Sequence, residues 1–309
     1  MIPNNMNIPF IKYSTLWLGI AATTVVVSIA MLILWGLKPG IDFTGGSLLE
    51  FSFSKQRPTV EEMQQTLDQF GAKQAVIQKS GDTKMIIRTG FLSEDEHQTL
   101  VKGVEKNFQT NENKIVEDRF ETIGSAVSQQ LRNRSLWATL LVSGSIIAYL
   151  AFAFRSVSRP IASWKYGLIA IVTLFYVVVV VVGVFAALGR FRGVEVDIAF
   201  VVAILTVLGY SVNDSIVVYD RIRERLLKHR VDDFGALVNI GLNETLARSI
   251  NTVGAVLLPL FALYFFGGPT VHYFSLALLL GMALSTVASI FVASPLLVLA
   301  ERWQRRQVV

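Results

Sequence analysis

The sequence predicts an α-helical polytopic membrane protein with six transmembrane helices and one exterior α+β domain of ferredoxin-like type. Three observations predict it. Six apolar runs are each long enough to cross a bilayer. A single polar stretch, residues 38–134, alternates strand-like and helix-like patterns. Lys and Arg concentrate in alternate connections between the apolar runs. The composition agrees: of 309 residues, 52% are hydrophobic and 17% charged, too apolar for a soluble chain of this size.

The first apolar run is Thr15 to Leu37, and no small-x-small cleavage site follows it, so it reads as an uncleaved anchor. Residues 1–37 therefore form the N-terminus and first transmembrane helix, and residues 38–134 the exterior domain. Within that domain, Leu49–Phe53 alternates as a strand. Thr59 with Glu62 forms a capping box ahead of a helix whose apolar face carries Met63, Leu67 and Phe70, and Gly71 stops it. Ala75–Lys79 and Thr83–Arg88 are strands joined by the turn Ser80-Gly-Asp82. Ser93 with Glu96 repeats the capping box, and His97, Leu100, Val104 and Phe108 share one face. Lys114–Glu121 is the last strand. The order strand-helix-strand-strand-helix-strand is the ferredoxin-like split unit.

Five further runs, Leu136–Phe154, Tyr166–Leu188, Val196–Tyr219, Leu246–Phe266 and Tyr273–Ala300, place transmembrane helices two to six in residues 135–301, with a tail at 302–309. Arg155, Arg159 and Lys165 lie in one connection, Arg221 to Arg230 in another, and Arg302, Arg305 and Arg306 in the tail. The intervening connections carry little net positive charge, so both termini are expected in the cytoplasm. Segment Val231–Thr245 shows helical apolar spacing and reads either as an interfacial amphipathic helix or as a plain helical connector. Tyr219, Trp164, Trp303 and Tyr273 read as an interfacial aromatic belt.

Several chemistries are excluded. The chain has no Cys, hence no disulfide and no thiolate metal site or nucleophile. His97, His229 and His272 are too scattered for a metal cluster or a His-based triad. The net charge of +5 belongs to the basic loops of a membrane protein, not to a nucleic-acid footprint. Gly40-Ile-Asp-Phe-Thr-Gly-Gly46 has no Lys-Ser/Thr after it and no helix expected to start there, so it is not a phosphate-binding loop but a turn joining membrane to domain. Gly124 is expected to be the hinge on the return path.

The stretch that can carry chemistry is Val207–Glu224. Asp214 sits inside its apolar part, beside Asn213, where an ionisable group costs roughly 2.5–3.5 kcal/mol. Arg248 lies at a similar depth on the next span, with Asn251 and Thr252 close by on that helix. Asp214 and Arg248 can meet inside the bundle. The cluster reads either as a proton relay or as a structural ion pair that fixes helix packing.

Gly209-Tyr-Ser-Val-Asn-Asp-Ser-Ile-Val-Val-Tyr-Asp-Arg-Ile-Arg-Glu224 resembles the fourth transmembrane helix of SecF-type members of the SecD/SecF family, within the RND superfamily. Gly40 to Gly46 is similar to the signature that follows the first helix in this family, with Gly40, Asp42, Phe43, Gly45 and Gly46 as its marked positions. Thr245–Thr252, Leu263–Gly268 and Ser289–Pro295 resemble its later helices. There are departures. Leu174-Phe-Tyr-Val177 replaces a His-Asp pair, Ser125 replaces a proline, and Leu284-Ser-Thr-Val-Ala-Ser289 replaces a Gly-Thr-Tyr-Ser-Ser pattern. That leaves Asp214 as the one acidic residue expected deep in a span.

The resemblance implies half of an RND-type bundle in the bacterial inner membrane, completed by SecD. It implies a role beside the SecYEG channel and the SecA motor, acting on translocating preproteins within the lipid bilayer. It implies protons as the coupling ion, no other cofactor, no covalent catalysis and no nucleic-acid partner. It places Asp214 and Arg248, with Thr252, in the proton relay, and Asn213, which adjoins Asp214, is read with them. Two alternatives stand beside it: a half-subunit of a small-molecule RND-type exporter, and a scaffold whose ion pair only packs helices.

Overall fold

The computed structural model describes residues 8–72, 75–153, 163–228 and 233–306. Arg155, Arg159, His229, Arg230 and the start of the Val231–Thr245 segment lie outside the described residues, as do residues 1–7 and 307–309. The chain divides into two compact units. One comprises Met1–Leu37, Trp137–Val194 and Ala199–Val309; the other is Lys38–Leu136 with Glu195–Ile198.

The smaller unit is an antiparallel sheet backed by two helices, in the order β-α-β-β-α-β. A single helical turn, α2 (Ile41–Thr44), precedes β1 (Gly46–Phe53), α3 (Val60–Gln69), β2 (Val76–Ser80), β3 (Lys84–Thr89), α4 (Glu94–Phe108) and β4 (Ile115–Ile123). The strands lie in the order β2-β3-β1-β4 with every neighbour antiparallel. Both capping boxes form: Thr59 accepts from the Glu62 N–H, Ser93 from the Glu96 N–H, and each glutamate reaches back to its cap. Hydrogen bonding to the cap backbone holds both exposed glutamates below the usual carboxylate range.

Alternation puts Leu49, Phe51 and Phe53 of β1 and Met85 and Ile87 of β3 on one face, against Met63 and Leu67 of α3 and Leu100 and Val104 of α4. Each such side chain stabilises by roughly 1.5–3 kcal/mol on burial. Gly103 lets α4 meet α3, since a Cβ there would lie 2.3 Å from the Phe70 ring. On β4 the register shifts between Glu50 and Phe51, leaving Asp118 as the extra residue, where Lys84 Nζ donates to it at 2.6 Å. His97 stacks on Phe120 with ring centroids 3.6 Å apart and bonds Glu117 at 2.7 Å, tying α4 to β4.

The larger unit is helical: α1 (Ser14–Trp35), most of α5 (Ser125–Ala153), α6 (Ser163–Arg192), most of α7 (Ile198–Lys228), α8 (Phe234–Phe266), α9 (Pro269–Ala288) and α10 (Ser294–Arg306). A π-helical turn, Ser289–Ala293, joins α9 to α10. Among the described residues, five helices are long and apolar enough to cross a membrane: Ile11–Trp35, Trp164–Arg192, Ile198–Leu226, Phe234–Phe266 and Val271–Arg305. α5 is not one of the five, although it is 29 residues long and exposes Leu136, Trp137, Leu140 and Leu141. Small residues set the close packing, as apolar bundles require in the absence of a hydrophobic drive between helices. A Cβ at Gly183 of α6 would lie 2.5 Å from Ser28 of α1, and one at Gly281 of α9 would lie 2.3 Å from Val207 of α7.

Three expectations change. The glycine motif does start a helix, the single turn α2, because Gly40 and Gly45 supply the extended and left-handed backbone on either side of it. Val231–Thr245 is not a separate interfacial helix. From Phe234 it is the first part of α8, and its apolar stripe (Phe234, Leu237, Val238, Gly241, Leu242) is buried in protein. Tyr219 is not in an aromatic belt: it is buried and packs edge-to-face on Tyr166 at 5.7 Å. Which face of a helix meets lipid depends on its neighbours, which local spacing does not record.

Gly46 has φ +115°, and a Cβ there would sit 2.5 Å from the Thr89 carbonyl oxygen. Gly46→Ala is expected to destabilise the small unit by about 2 kcal/mol. Gly90→Ala, where an added Cβ meets nothing within 4 Å, should change it far less. Limited proteolysis of the full chain in membranes reads the difference.

Candidate functional site

Asp214 is on α7, the helix whose buried stripe runs from Phe200 through Ala203 and Val207 to the polar Ser211. Its backbone needs are met within the helix, so the side chain is free to point sideways into the bundle. It is buried, with 6% of its surface exposed. Its oxygen accepts a hydrogen bond from Ser289 Oγ at 2.9 Å. Ser249 of α8 and Thr286 of α9 also stand close enough to interact with the carboxylate, without reaching ordinary hydrogen-bond geometry. Ser211 and Ser285 are buried in the same helices with hydroxyl oxygens that meet no partner. The carboxylate is therefore set among hydroxyls from three helices.

The backbone explains how Ser289 comes to face it. The π-helical turn Ser289–Ala293 inserts one residue into the last rod, and Ser294 Oγ donates to the Ser289 carbonyl at 3.0 Å. Pro295 follows and has no N–H to give to the preceding turn, which removes the competing α-helical bond. Such turns recur at functional sites because they re-aim side chains. Phe291, within this turn, packs on Trp17 at 4.5 Å and Phe10 at 5.6 Å.

Arg248 and Asp214 are brought to one small cavity but are not an ion pair. Tyr210, Asn213, Asp214, Val217, Arg248, Ser249 and Thr252 line the cavity, of about 40 Å³. Among the described residues no N···O contact within 4.0 Å joins the two charges, and the hydrogen bond to Asp214 comes from Ser289 instead. Arg248, Thr252 and Asn213 are exposed on this chain, so they form the outer wall of the cavity and Asp214 its inner wall. The arrangement can hold or release a proton at an inward-facing carboxylate while a cation waits at the open side.

The charge run after Tyr219 is a separate cluster. Arg221 donates to Glu244 at 2.7 Å and pairs with Glu224, and Arg225 also pairs with Glu244. Glu244 is thus another acidic residue within a membrane-length helix, but it sits at the charged end with two arginines. The glycine motif gathers elsewhere, in the small unit. Gly40 opens α2, the Phe43 N–H bonds the Gly40 carbonyl at 3.1 Å, Gly45 and Gly46 have positive φ, and Asp42 accepts from the Ile198 N–H at 2.8 Å. Gly124 accepts from the Val127 and Ser128 N–H groups at the start of α5.

Sequence reasoning missed Ser289, Thr286 and Ser249. For Ser289 and Thr286 the signal was a run of hydroxyl residues in an otherwise apolar helix, Leu284 to Ser289; Ser249 was marked only by standing next to Arg248.

Ser289→Ala leaves the buried carboxylate short of its donor and is expected to cost about 1–3 kcal/mol. In an Asp214→Asn background the same change should cost much less, a coupling that a double-mutant thermal-unfolding cycle in detergent measures.

Comparison with known proteins identifies the family. Residues 103–303 match the family described as protein export membrane protein SecD/SecF, C-terminal, and residues 36–56 match the SecD/SecF GG motif. The chain is 42% identical to protein translocase subunit SecF of Thermobaculum terrenum, with 86% of each chain covered. It is 35% identical to SecF of Haemophilus influenzae, covering 92% of this chain and 83% of that one. The crystal structure of SecDF from Thermus thermophilus, a translocon-associated membrane protein, superposes with a TM-score of 0.83 at 30% identity. That match covers 99% of this chain but spans only 40% of the SecDF chain. The chain belongs to the SecD/SecF family of protein export membrane proteins.

Proposed function

We propose that this chain is a SecF-type accessory subunit of the bacterial Sec protein-export machinery, using the proton-motive force together with SecD to promote preprotein translocation. The observation that carries the coupling role is Asp214, a buried carboxylate on a membrane-length helix, facing a polar cavity with Arg248 on its open side. Protonation there changes the charge of the bundle by one unit. Moving one charge across the membrane supplies about 2.3 kcal/mol per 100 mV, enough to bias a two-state element. Asn213 and Thr252 complete the relay at the cavity mouth, and Ser289 positions the carboxylate.

Exposure of Arg248 supports a partner. A guanidinium at membrane depth is costly against lipid and ordinarily faces protein or water. A second half-bundle, SecD, covers that side; the match of this chain to part of the longer SecDF protein is consistent with it. SecYEG, SecA and the translocating preprotein follow as further partners of the assembly.

In this reading α5 is a further span, the second in chain order, which brings the total to six, its exposed apolar residues meeting lipid or the partner, and both termini lie in the cytoplasm of a bacterium whose inner membrane holds the protein. The small unit then faces outward, and its strand order supports a ferredoxin-like assignment. Gly40, Gly45, Gly46 and Gly124 are the turns by which that unit leaves and re-enters the membrane. The chain performs no covalent catalysis.

The test is secretion of a model preprotein with wild type and Asp214→Asn, before and after collapse of the proton gradient, at equal expression and partner assembly. The variant is expected to lose only the gradient-dependent part of export. Export equal to wild type, with the same gradient dependence, would make Asp214 a packing residue.

A further inference from the structure

Where α6 begins and α10 ends, the larger unit holds a buried cation with no acid against it. The apolar spans Trp164–Arg192 and Val271–Arg305 place this corner at one surface of the membrane, since one starts and the other finishes there. Lys165 is only 7% exposed. Its Nζ donates to Gln304 Oε1 at 2.9 Å and lies 5.2 Å from the centre of the Trp303 ring and 5.9 Å from that of Trp164. Among the described residues no carboxylate comes within 4.0 Å of it. The one acid of α10, Glu301, is buried as well, but Arg305 one turn on pairs with it.

An ammonium carries three N–H donors and no acceptor. Gln304 takes one of them. The two indole faces attract the charge through their quadrupoles but supply no oxygen. The charge is thus held in place with part of its hydrogen-bonding capacity unfilled, and a buried charge is costly unless it is paired. The surroundings favour an anion. Residues 154–162 hold two Arg and no Asp or Glu, and Arg302 and Arg305 lie at the end of α10. The two rings that cover Lys165 are themselves mostly exposed, so they can part without disturbing the core. Beneath them the surface turns apolar. Leu168, Val172 and Phe175 continue the Trp164 face of α6 at spacings of four, four and three, all exposed, and Leu299 stands one turn below Trp303 on α10. Indoles sit at headgroup level, and apolar side chains one turn deeper meet acyl chains.

We propose that Lys165, Trp164, Trp303 and Gln304 form a binding site for an anionic phospholipid. Its phosphate takes the remaining ammonium donors, and an acyl chain lies along the Leu168 face of α6. Basic pockets between membrane helices take such headgroups. Gln304 is a positioning residue that holds the ammonium between the rings. The site lies wholly within the larger unit and does not depend on the export reading. A packing staple between α6 and α10 would use the same Gln304 contact but show no preference among lipids.

The test uses the full chain with its SecD partner in nanodiscs of phosphatidylcholine, alone or mixed with phosphatidylglycerol. Native mass spectrometry then counts the phospholipids that stay bound after transfer to detergent. Wild type and Lys165→Arg are expected to retain one phosphatidylglycerol more than Lys165→Gln, and only these two should melt higher in the mixture than in phosphatidylcholine alone. Trp303→Ala, which removes one wall and leaves the charge, should also retain less phosphatidylglycerol than wild type, and it keeps the test open if Lys165→Gln does not assemble. Excess inorganic phosphate should displace none of the retained lipid. Equal retention of phosphatidylglycerol by wild type and the variants overturns the proposal. So does equal retention of the two lipids by wild type, or lipid lost to inorganic phosphate, which marks a small-anion site. Loss of SecD from Lys165→Gln in every lipid marks a subunit contact and overturns it as well.

Discussion

A carboxylate this deeply buried needs donors, and Asp214 has one in the Ser289 hydroxyl, with the hydroxyls of Ser249 and Thr286 beside it. An ionised group taken from water into a bundle loses several kcal/mol of solvation, and a single well-placed hydrogen bond returns only part of it. The rest of the larger unit can be read as the means of supplying donors to that one position. Gly281 lets α9 close onto α7 at Val207, about two turns from Asp214. The π-helical turn brings the hydroxyl of Ser289 to the carboxylate, and Pro295 after it keeps the α-helical bond from re-forming. A cradle of hydroxyls differs from a buried ion pair in one respect that matters here. Hydroxyls can accept from a protonated carboxyl as readily as they donate to an ionised one, so neither protonation state is locked. A permanent contact with Arg248 would have favoured the ionised state.

The small unit obeys a different solvent. Its core is a conventional alternation of apolar residues along β1 and β3 against two capped helices, and its charges are paired where they are half-buried, as Lys84 is with Asp118 and Glu50. Hydrogen bonds from Lys84 and Ser52 hold Asp118 below the usual carboxylate range, so its contribution to stability is present at neutral pH and fades as pH falls through the lowered value. With the Asp118 side chain 30% exposed, that contribution is small.

Much of this was legible in the sequence where the cause is local. Thr59 with Glu62 and Ser93 with Glu96 announce their helices because a capping box lies within four residues. The turn at Gly81 and the apolar runs were readable for the same reason. The position of Asp214 in an apolar run marked it as a candidate site. Its partner was not legible, because Ser289 is 75 residues away and a serine in an apolar helix more often bonds its own backbone. Arg248 was expected as that partner on depth alone, but depth does not say which face of a helix a side chain occupies, and Arg248 faces outward. Lys165 reads only as a basic residue in a connection until the fold brings Gln304, 139 residues away, against it.

The central claim is that Asp214 exchanges protons in service of transport. Proton uptake into proteoliposomes that hold this chain and its SecD partner, under an imposed inside-negative potential, tests it most directly. Wild type should acidify the lumen above the rate of empty vesicles, and Asp214→Asn should fall to that background. Equal uptake by the two would contradict the claim and move proton coupling off this carboxylate.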